Sequence, residues 1–207
     1  MEPQVINYPY SDGKLGVAHG YLLPSVVETL QALGRSERRV FELGCGNGSV
    51  ASRLTELGYE VTGIDASAEA IAQAHRHYPS LGLSLGSAYD DLAARYGTFP
   101  IVISLEVIEH LYAPRTFAAN VFRLLEPGGT AIISTPYHGY LKNLALALTG
   151  TLDAHFTALW DHGHIKFWSM KTLRILLQET GFISISFKRV GRTPALAKSM
   201  LAVATKG

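Results

Sequence analysis

The sequence predicts an α/β protein: a doubly wound, mostly parallel seven-stranded sheet that ends in a C-terminal antiparallel hairpin. Three observations carry this. Short apolar runs alternate with stretches of helical spacing through residues 36–135. The first run ends in glycines at alternate positions, Gly44, Gly46 and Gly48, as a buried strand does when it turns tightly into a helix. The alternation stops at Thr135-Pro136, and two β-rich runs close the chain after one more helix.

Taken in order, residues 1–23 are rich in Tyr, Gly and Pro and read as an ordered arm. Its Tyr8, Tyr10, His19 and Tyr21 either line a pocket mouth or pack the arm onto the core. Pro24 suits the first turn of a helix built on Val26, Val27, Leu30 and Leu33 and stopped by Gly34. Strand one is Val40–Leu43, followed by a helix over about Asn47–Leu57. Strand two, Tyr59–Ile64, delivers Asp65 at its end, and Ser67 caps a helix that runs to about Tyr78. Leu83–Leu85 is a short third strand, and Ser87–Arg95 is helical. The β-branched run Pro100–Ser104 is a central, buried fourth strand, and Glu106–His110 turns out of it. A helix over about Arg115–Leu125 closes at Pro127-Gly128-Gly129, and Thr130–Ser134 is strand five. Residues 136–170 form an aromatic, His-rich insertion over the carboxyl edge of the sheet. Thr172–Thr180 is a helix, and Phe182–Val190 with Ala195–Thr205 form the closing hairpin. The whole is one domain: an arm and helix (1–35), a cofactor-binding core (36–135), the insertion (136–170) and the last helix and hairpin (171–207).

Composition narrows the function. With 47% hydrophobic residues in 207, the chain can bury a large core. A net charge of +1 offers no basic face for nucleic acid. One cysteine, no leader pattern and no long apolar run point to a cytoplasmic protein without stable membrane insertion.

Ligands of such sheets bind at the carboxyl ends of the strands. Four ends can be read here. The glycine turn presents backbone N–H groups and a helix N-terminus, which suits the charged tail of a nucleotide-like cofactor. Asp65 can accept hydrogen bonds from two ribose hydroxyls. Ser87, Ala88 and Tyr89 can hold a purine, and Leu105-Glu106 forms the fourth end. A nicotinamide dinucleotide fits the first two. Against it stand the Gly-x-Gly-x-Gly spacing and Glu42 just before the turn, a carboxylate that suits an ammonium and disfavours a pyrophosphate.

Four segments together resemble the successive motifs of class I S-adenosylmethionine-dependent methyltransferases. They are Val40–Gly48, Gly63–Ser67, Ser104–Leu111 and Leu125–Thr130. The resemblance spans about residues 36–206. Residues 106–111 and 163–169 are similar to the branch that contains ubiquinone-pathway O-methyltransferases. It implies a Rossmann-like fold and the cofactor S-adenosylmethionine, leaving as S-adenosylhomocysteine, with a small-molecule acceptor methylated at oxygen. It further implies that Glu42, Gly44, Cys45 and Gly46 surround the methionine moiety, and that Asp65 holds the ribose with Ala66 beside the adenine. Ser87, Ala88 and Tyr89 would frame the adenine, and the Leu105 backbone would lie near the amino group. Many members carry an acidic residue where Ser87 stands; a serine hydroxyl bonds the adenine amine more weakly. The rival readings are an NAD(P)-dependent oxidoreductase and a non-catalytic adenosylmethionine-binding module.

For chemistry, Cys45 is either a lowered-pKa nucleophile or a small residue chosen for fit. His110, with Glu106, is the candidate catalytic pair; His110 acts as base or merely caps the next helix. Glu106, Glu109 and His110 fall on one helical face and form an alternative divalent-ion set, although no metal is assigned. His155, His162 and His164, interleaved with Trp160, Asp161, Phe167 and Trp168, form a substrate wall or anchor the insertion. The apolar Leu141–Leu148 is a lid, a shallow membrane contact or an ordinary buried helix.

Overall fold

A computed structural model describes residues 14–34, 36–156, 158–161 and 163–207. Tyr8, Tyr10 and His162 lie outside the described residues. The strands are β1 (Arg39–Leu43), β2 (Glu60–Asp65), β3 (Gly82–Leu85), β4 (Phe99–Leu105), β5 (Leu125–Pro136), β6 (Phe182–Val190) and β7 (Ser199–Lys206). They form one sheet in the order β3-β2-β1-β4-β5-β7-β6. β3 through β5 pair in parallel, and β7 pairs antiparallel with both β5 and β6.

The two-residue period of the strands sorts the core onto two faces. Phe41, Leu43 and Val102 point to the face covered by α4 (Leu92–Tyr96), α5 (Pro114–Leu124) and α8 (Met170–Thr180), where they meet Phe117, Val121, Leu173 and Leu177. Val40, Ile101 and Ile103 point the other way, to α1 (Val17–Ala32), α2 (Ser49–Glu56) and α3 (Ala68–His77), against Leu22, Val26, Leu54 and Ile71. All seven residues of β4 are buried, as its unbroken apolar run requires of a strand covered on both faces. The chain leaves β1 toward β2 and returns on the far side as β4. The β1–β4 crevice is therefore the switch point where such sheets take ligands.

Four expectations are corrected. The first helix starts at Val17, so Pro24 lies inside it. Proline there costs one backbone bond, but Leu22, Leu23, Val26 and Leu30 are buried and hold the helix on both sides of it. The helix expected over Ser87–Arg95 shrinks to α4, because the Asp90 side chain takes the Ser87 N–H in a turn and Asp91 then caps the helix at Ala94 N–H. β7 begins at Ser199, since Pro194–Leu196 forms a short 3-10 turn. The insertion holds α6 (Tyr140–Leu148) and α7 (Leu152–Phe156). Of α6 only Lys142 is buried; Tyr140, Leu141, Leu144 and Leu148 face outward, so it is not an ordinary buried helix. No helix among the described residues is long and apolar enough to cross a membrane.

Candidate functional site

The glycine turn sits over the switch point. Gly44 N–H and Cys45 N–H both donate to the Ile64 carbonyl, at 2.8 and 2.9 Å, which staples the turn to the end of β2. Gly44 has φ 86°, and a Cβ there would fall 2.3 Å from Val107 Cγ2. Both conformation and clearance therefore demand glycine. The helix α2 starts two residues later than expected, at Ser49, with Gly48 (φ 77°) as its N-cap.

Asp65 ends β2 and ties the turn down. Its Oδ2 accepts from Gly46 N–H at 2.8 Å and its Oδ1 from Ser67 N–H at 2.8 Å. Each oxygen keeps a further lone-pair direction for a hydroxyl. Ala66 beside it is exposed. Glu42, one residue from the end of β1, is buried, and its Oε2 receives no hydrogen bond. Burial first, and the Asp65 charge second, push its pKa up to about 8. A buried carboxyl with an unused oxygen at a ligand crevice is a place for a cation to dock. Cys45 is buried too, and burial, then Glu42 and Asp65, hold its thiol well above the usual range. That removes the lowered-pKa nucleophile: Cys45 lies in the turn, not in the first turn of α2, and faces two carboxylates.

After β3, Ser87 Oγ accepts from Tyr89 N–H at 3.1 Å, and Asp90 Oδ2 from Ser87 N–H at 2.8 Å. Asn120 Nδ2 donates to the Ala88 carbonyl at 2.8 Å, and Tyr89 OH accepts from Ala113 N–H at 3.2 Å. These bonds fix Ser87, Ala88 and Tyr89 as a ledge beside the β2 end. Leu105 ends β4, buried, and its backbone is reached by the His19 imidazole. Tyr21 OH lies 2.8 Å from Ser199 Oγ. The two described residues of the N-terminal aromatic set thus come to the strand ends.

Glu106 has φ 55°, the left-handed region that non-glycine residues rarely adopt, and is alone among the described non-glycine residues in this. The kink turns its carboxylate back over β5 and β7. Ser134 Oγ donates to Oε1 at 2.7 Å and Ser199 Oγ to Oε2 at 3.1 Å. Burial pushes its pKa up to about 7 against those two bonds and Lys142. Ile108–His110 is a 3-10 turn. Glu106 therefore does not share a metal face with Glu109 and His110. Instead Glu109, His110 and His164 bring one ligand atom each within 4.8 Å of one another. The Glu109 side chain is fully buried, and neither oxygen receives a well-formed hydrogen bond; burial, then Glu106, drives its pKa far up. Its main-chain carbonyl accepts from Ile165 N–H and Lys166 N–H, both at 2.9 Å, which clips the insertion to the β4 end and delivers His164. His110 Nδ1 lies 3.2 Å from the Gly163 carbonyl. A carbonyl only accepts, so Nδ1 carries the proton and Nε2 of the neutral ring carries the lone pair. His110 is not a cap: α5 starts at Pro114 with no side-chain cap bond.

The expected histidine cluster divides. His164 stacks edgewise on His110, with centroids 4.9 Å apart, and on Trp160. His155 instead packs on His138 and Phe156. His138 and Lys142 escaped the sequence reading. Both are buried polar residues in the insertion, whose sequence carries no period that foretells burial.

A methyltransferase domain family matches residues 18–186. The chain belongs to this methyltransferase family. Over 145 residues the methyltransferase is 36% identical to a ubiquinone biosynthesis O-methyltransferase of a Caulobacter species, covering 63% of this chain and 56% of that protein. It is 31% identical over 166 residues to the protein of that name from Burkholderia pseudomallei, covering 78% of this chain and 71% of that protein. The chain thus spans little more than half the length of the first of these relatives. In structure it resembles magnesium protoporphyrin IX methyltransferase of Synechocystis with bound SAH, with TM-score 0.69, 22% identity, and coverage of 92% of this chain and 84% of that one. It resembles equally an S-adenosylmethionine-dependent methyltransferase of Archaeoglobus fulgidus, with TM-score 0.69, 16% identity, and coverage of 89% and 93%. The Rossmann-like fold is shared, and the nicotinamide reading is not favoured.

Proposed function

We propose that this chain transfers the methyl group of S-adenosylmethionine to a hydroxyl of a small-molecule acceptor, as a cytoplasmic enzyme with no nucleic-acid partner. The observation that carries the reading is the pair of carboxyl groups around a turn that must be glycine. Glu42 offers a buried oxygen to the cofactor's ammonium, and Asp65 accepts from the ribose hydroxyls while it holds the turn. Gly44, Cys45 and Gly46 line the methionine moiety, Ala66 lies beside the adenine, Ser87, Ala88 and Tyr89 frame it, and Leu105 closes the crevice. S-adenosylmethionine held by these residues would supply an activated methyl, and Glu106 and His110 at the β4 end would border the space for the acceptor.

The methyl is already activated by the positive sulfur, so the protein's work is alignment and exclusion of water, an effect of up to about 7–11 kcal/mol. His110 takes the acceptor proton at Nε2, since Nδ1 is committed to Gly163. Glu106 positions the β4 end through Ser134 and Ser199.

A second reading adds a divalent ion at Glu109, His110 and His164, favoured by the buried Glu109 carboxylate without a well-formed hydrogen bond. That donor set of one carboxylate and two imidazoles fits such an ion, which when bound would acidify an acceptor hydroxyl. Calorimetric titration with S-adenosylhomocysteine and NAD, then an acceptor screen with tritiated methyl donor in EDTA or added Mg²⁺ and Zn²⁺, tests both. Binding of NAD without S-adenosylhomocysteine would end the methyl-transfer reading. Turnover unchanged by EDTA would end the metal reading. A binder that turns over nothing across a broad panel is a non-catalytic module.

A further inference from the structure

A cavity of about 290 Å³ opens between α6, α7 and the β6–β7 connection. Its polar lining is almost wholly basic. Lys142, Arg192, Lys198 and His155 reach it, among the apolar Leu146 and Leu196, and no carboxylate does. Lys142 is the telling member. Its side chain is buried, 8% exposed, with Nζ donating to the Tyr137 carbonyl at 2.9 Å. That bond uses one of three ammonium donors. Lys198 stands over the Tyr21 ring, 5.2 Å from its centroid, and Arg192 is exposed at the rim. Among the described residues none of these three cations makes an ion pair within 4 Å. Three cations around one half-enclosed space, one of them buried, repel each other unless an anion joins them.

The cavity adjoins the chemistry. Lys142 feels the Glu106 charge, Lys198 precedes the Ser199 that binds Glu106, and His155 packs on His138 with ring centroids 5.4 Å apart. The geometry points to an oxyanion subsite for the methyl acceptor: the substrate carries a carboxylate or phosphate, held by Arg192, Lys198 and Lys142, while its hydroxyl faces His110. This rests on the methyl-transfer reading. Anchoring the far end of the acceptor by charge-assisted bonds orients the near end for in-line attack.

The test uses the full chain loaded with S-adenosylhomocysteine, titrated calorimetrically with 4-hydroxyphenylacetate and with its neutral amide. The acid is expected to bind about tenfold or more tightly than the amide. The double variant Arg192→Gln/Lys198→Gln changes an exposed and a half-buried side chain, and thermal melting confirms that it folds. In it the acid-to-amide ratio should fall several-fold toward one, Lys142 remaining, with the Kd for S-adenosylhomocysteine unmoved. Equal affinities for acid and amide in the natural protein, including no binding of either, overturn the proposal, as does a ratio unmoved in the variant. Inorganic phosphate that binds as tightly as the acid would make this a free-anion site and also overturn it. Failure to bind S-adenosylhomocysteine would instead sink the methyl-transfer reading, and the acid-to-amide ratio of the unliganded chain would then judge the cavity alone.

Discussion

The two sides of this crevice are built differently. On the cofactor side, the turn is held through main-chain N–H groups at strand ends: Gly44 and Cys45 to the Ile64 carbonyl, and Gly46 and Ser67 to the Asp65 carboxylate. On the acceptor side, the insertion is tied on by main-chain bonds at its ends, such as Tyr137 N–H to Lys198 and Ile165 N–H to Glu109, and by side chains such as Lys142 to Tyr137, and it exposes leucines on α6. A cofactor shared by many enzymes is met by a backbone frame, whereas the groups facing the proposed acceptor are side chains carried on an added element. Substitutions should therefore behave differently on the two sides.

The largest effect is expected at their junction. His110→Ala should lower kcat by about 10²–10⁴-fold with little change in the Kd for S-adenosylhomocysteine; steady-state kinetics with calorimetry checks this, and an unaltered kcat removes His110 as base. Next comes Gly44→Ala. With φ at 86° and Val107 Cγ2 2.3 Å from the new Cβ, it should cost at least about 1–3 kcal/mol of stability and cofactor binding together, read from melting and titration. Asp65→Ala should raise the cofactor Kd by about 1.5–3 kcal/mol, as loss of a charged acceptor does. Binding that stays unchanged would break the ribose assignment and the contrast with it.

Glu42 gives a pH test with a definite sign. Its folded pKa of about 8 lies above the ordinary 4.5, so between those values the folded chain holds a proton that the unfolded chain has lost. Stability of the unliganded protein should therefore fall as pH rises from 4.5 to 8, then level off. Glu42→Gln should flatten that part of a melting-temperature profile while it weakens cofactor binding. The ammonium pairs with the ionised form, so binding below pH 8 should also release protons, seen as a buffer-dependent heat. The smallest effect belongs to the acceptor side: Leu141→Ser and Leu144→Ser, on the outward face of α6, should shift stability by no more than about 0.5 kcal/mol. A large loss would show that α6 is covered and integral, against the comparison.

Much of this was legible in the chain itself, for a local reason. A strand that must turn within a few residues into a helix over a ligand needs Gly44, Gly46 and Gly48 in place, and an acid at the next strand end must be Asp65; such requirements leave a mark within a dozen residues. The alternation of apolar runs likewise determined the parallel sheet and its closing hairpin, because period and burial follow from backbone geometry. The long-range arrangements left no such mark. Only the tertiary structure decided that Glu106 turns away to Ser134 and Ser199, that His164 takes its place beside Glu109 and His110, that burial first and then Glu42 and Asp65 hold the Cys45 thiol well above its usual range, and that Lys142, Arg192 and Lys198 converge on one cavity. Most of those contacts join residues tens of positions apart, and their pairing is set by how the strand ends and the insertion come together over the sheet, not by any local spacing.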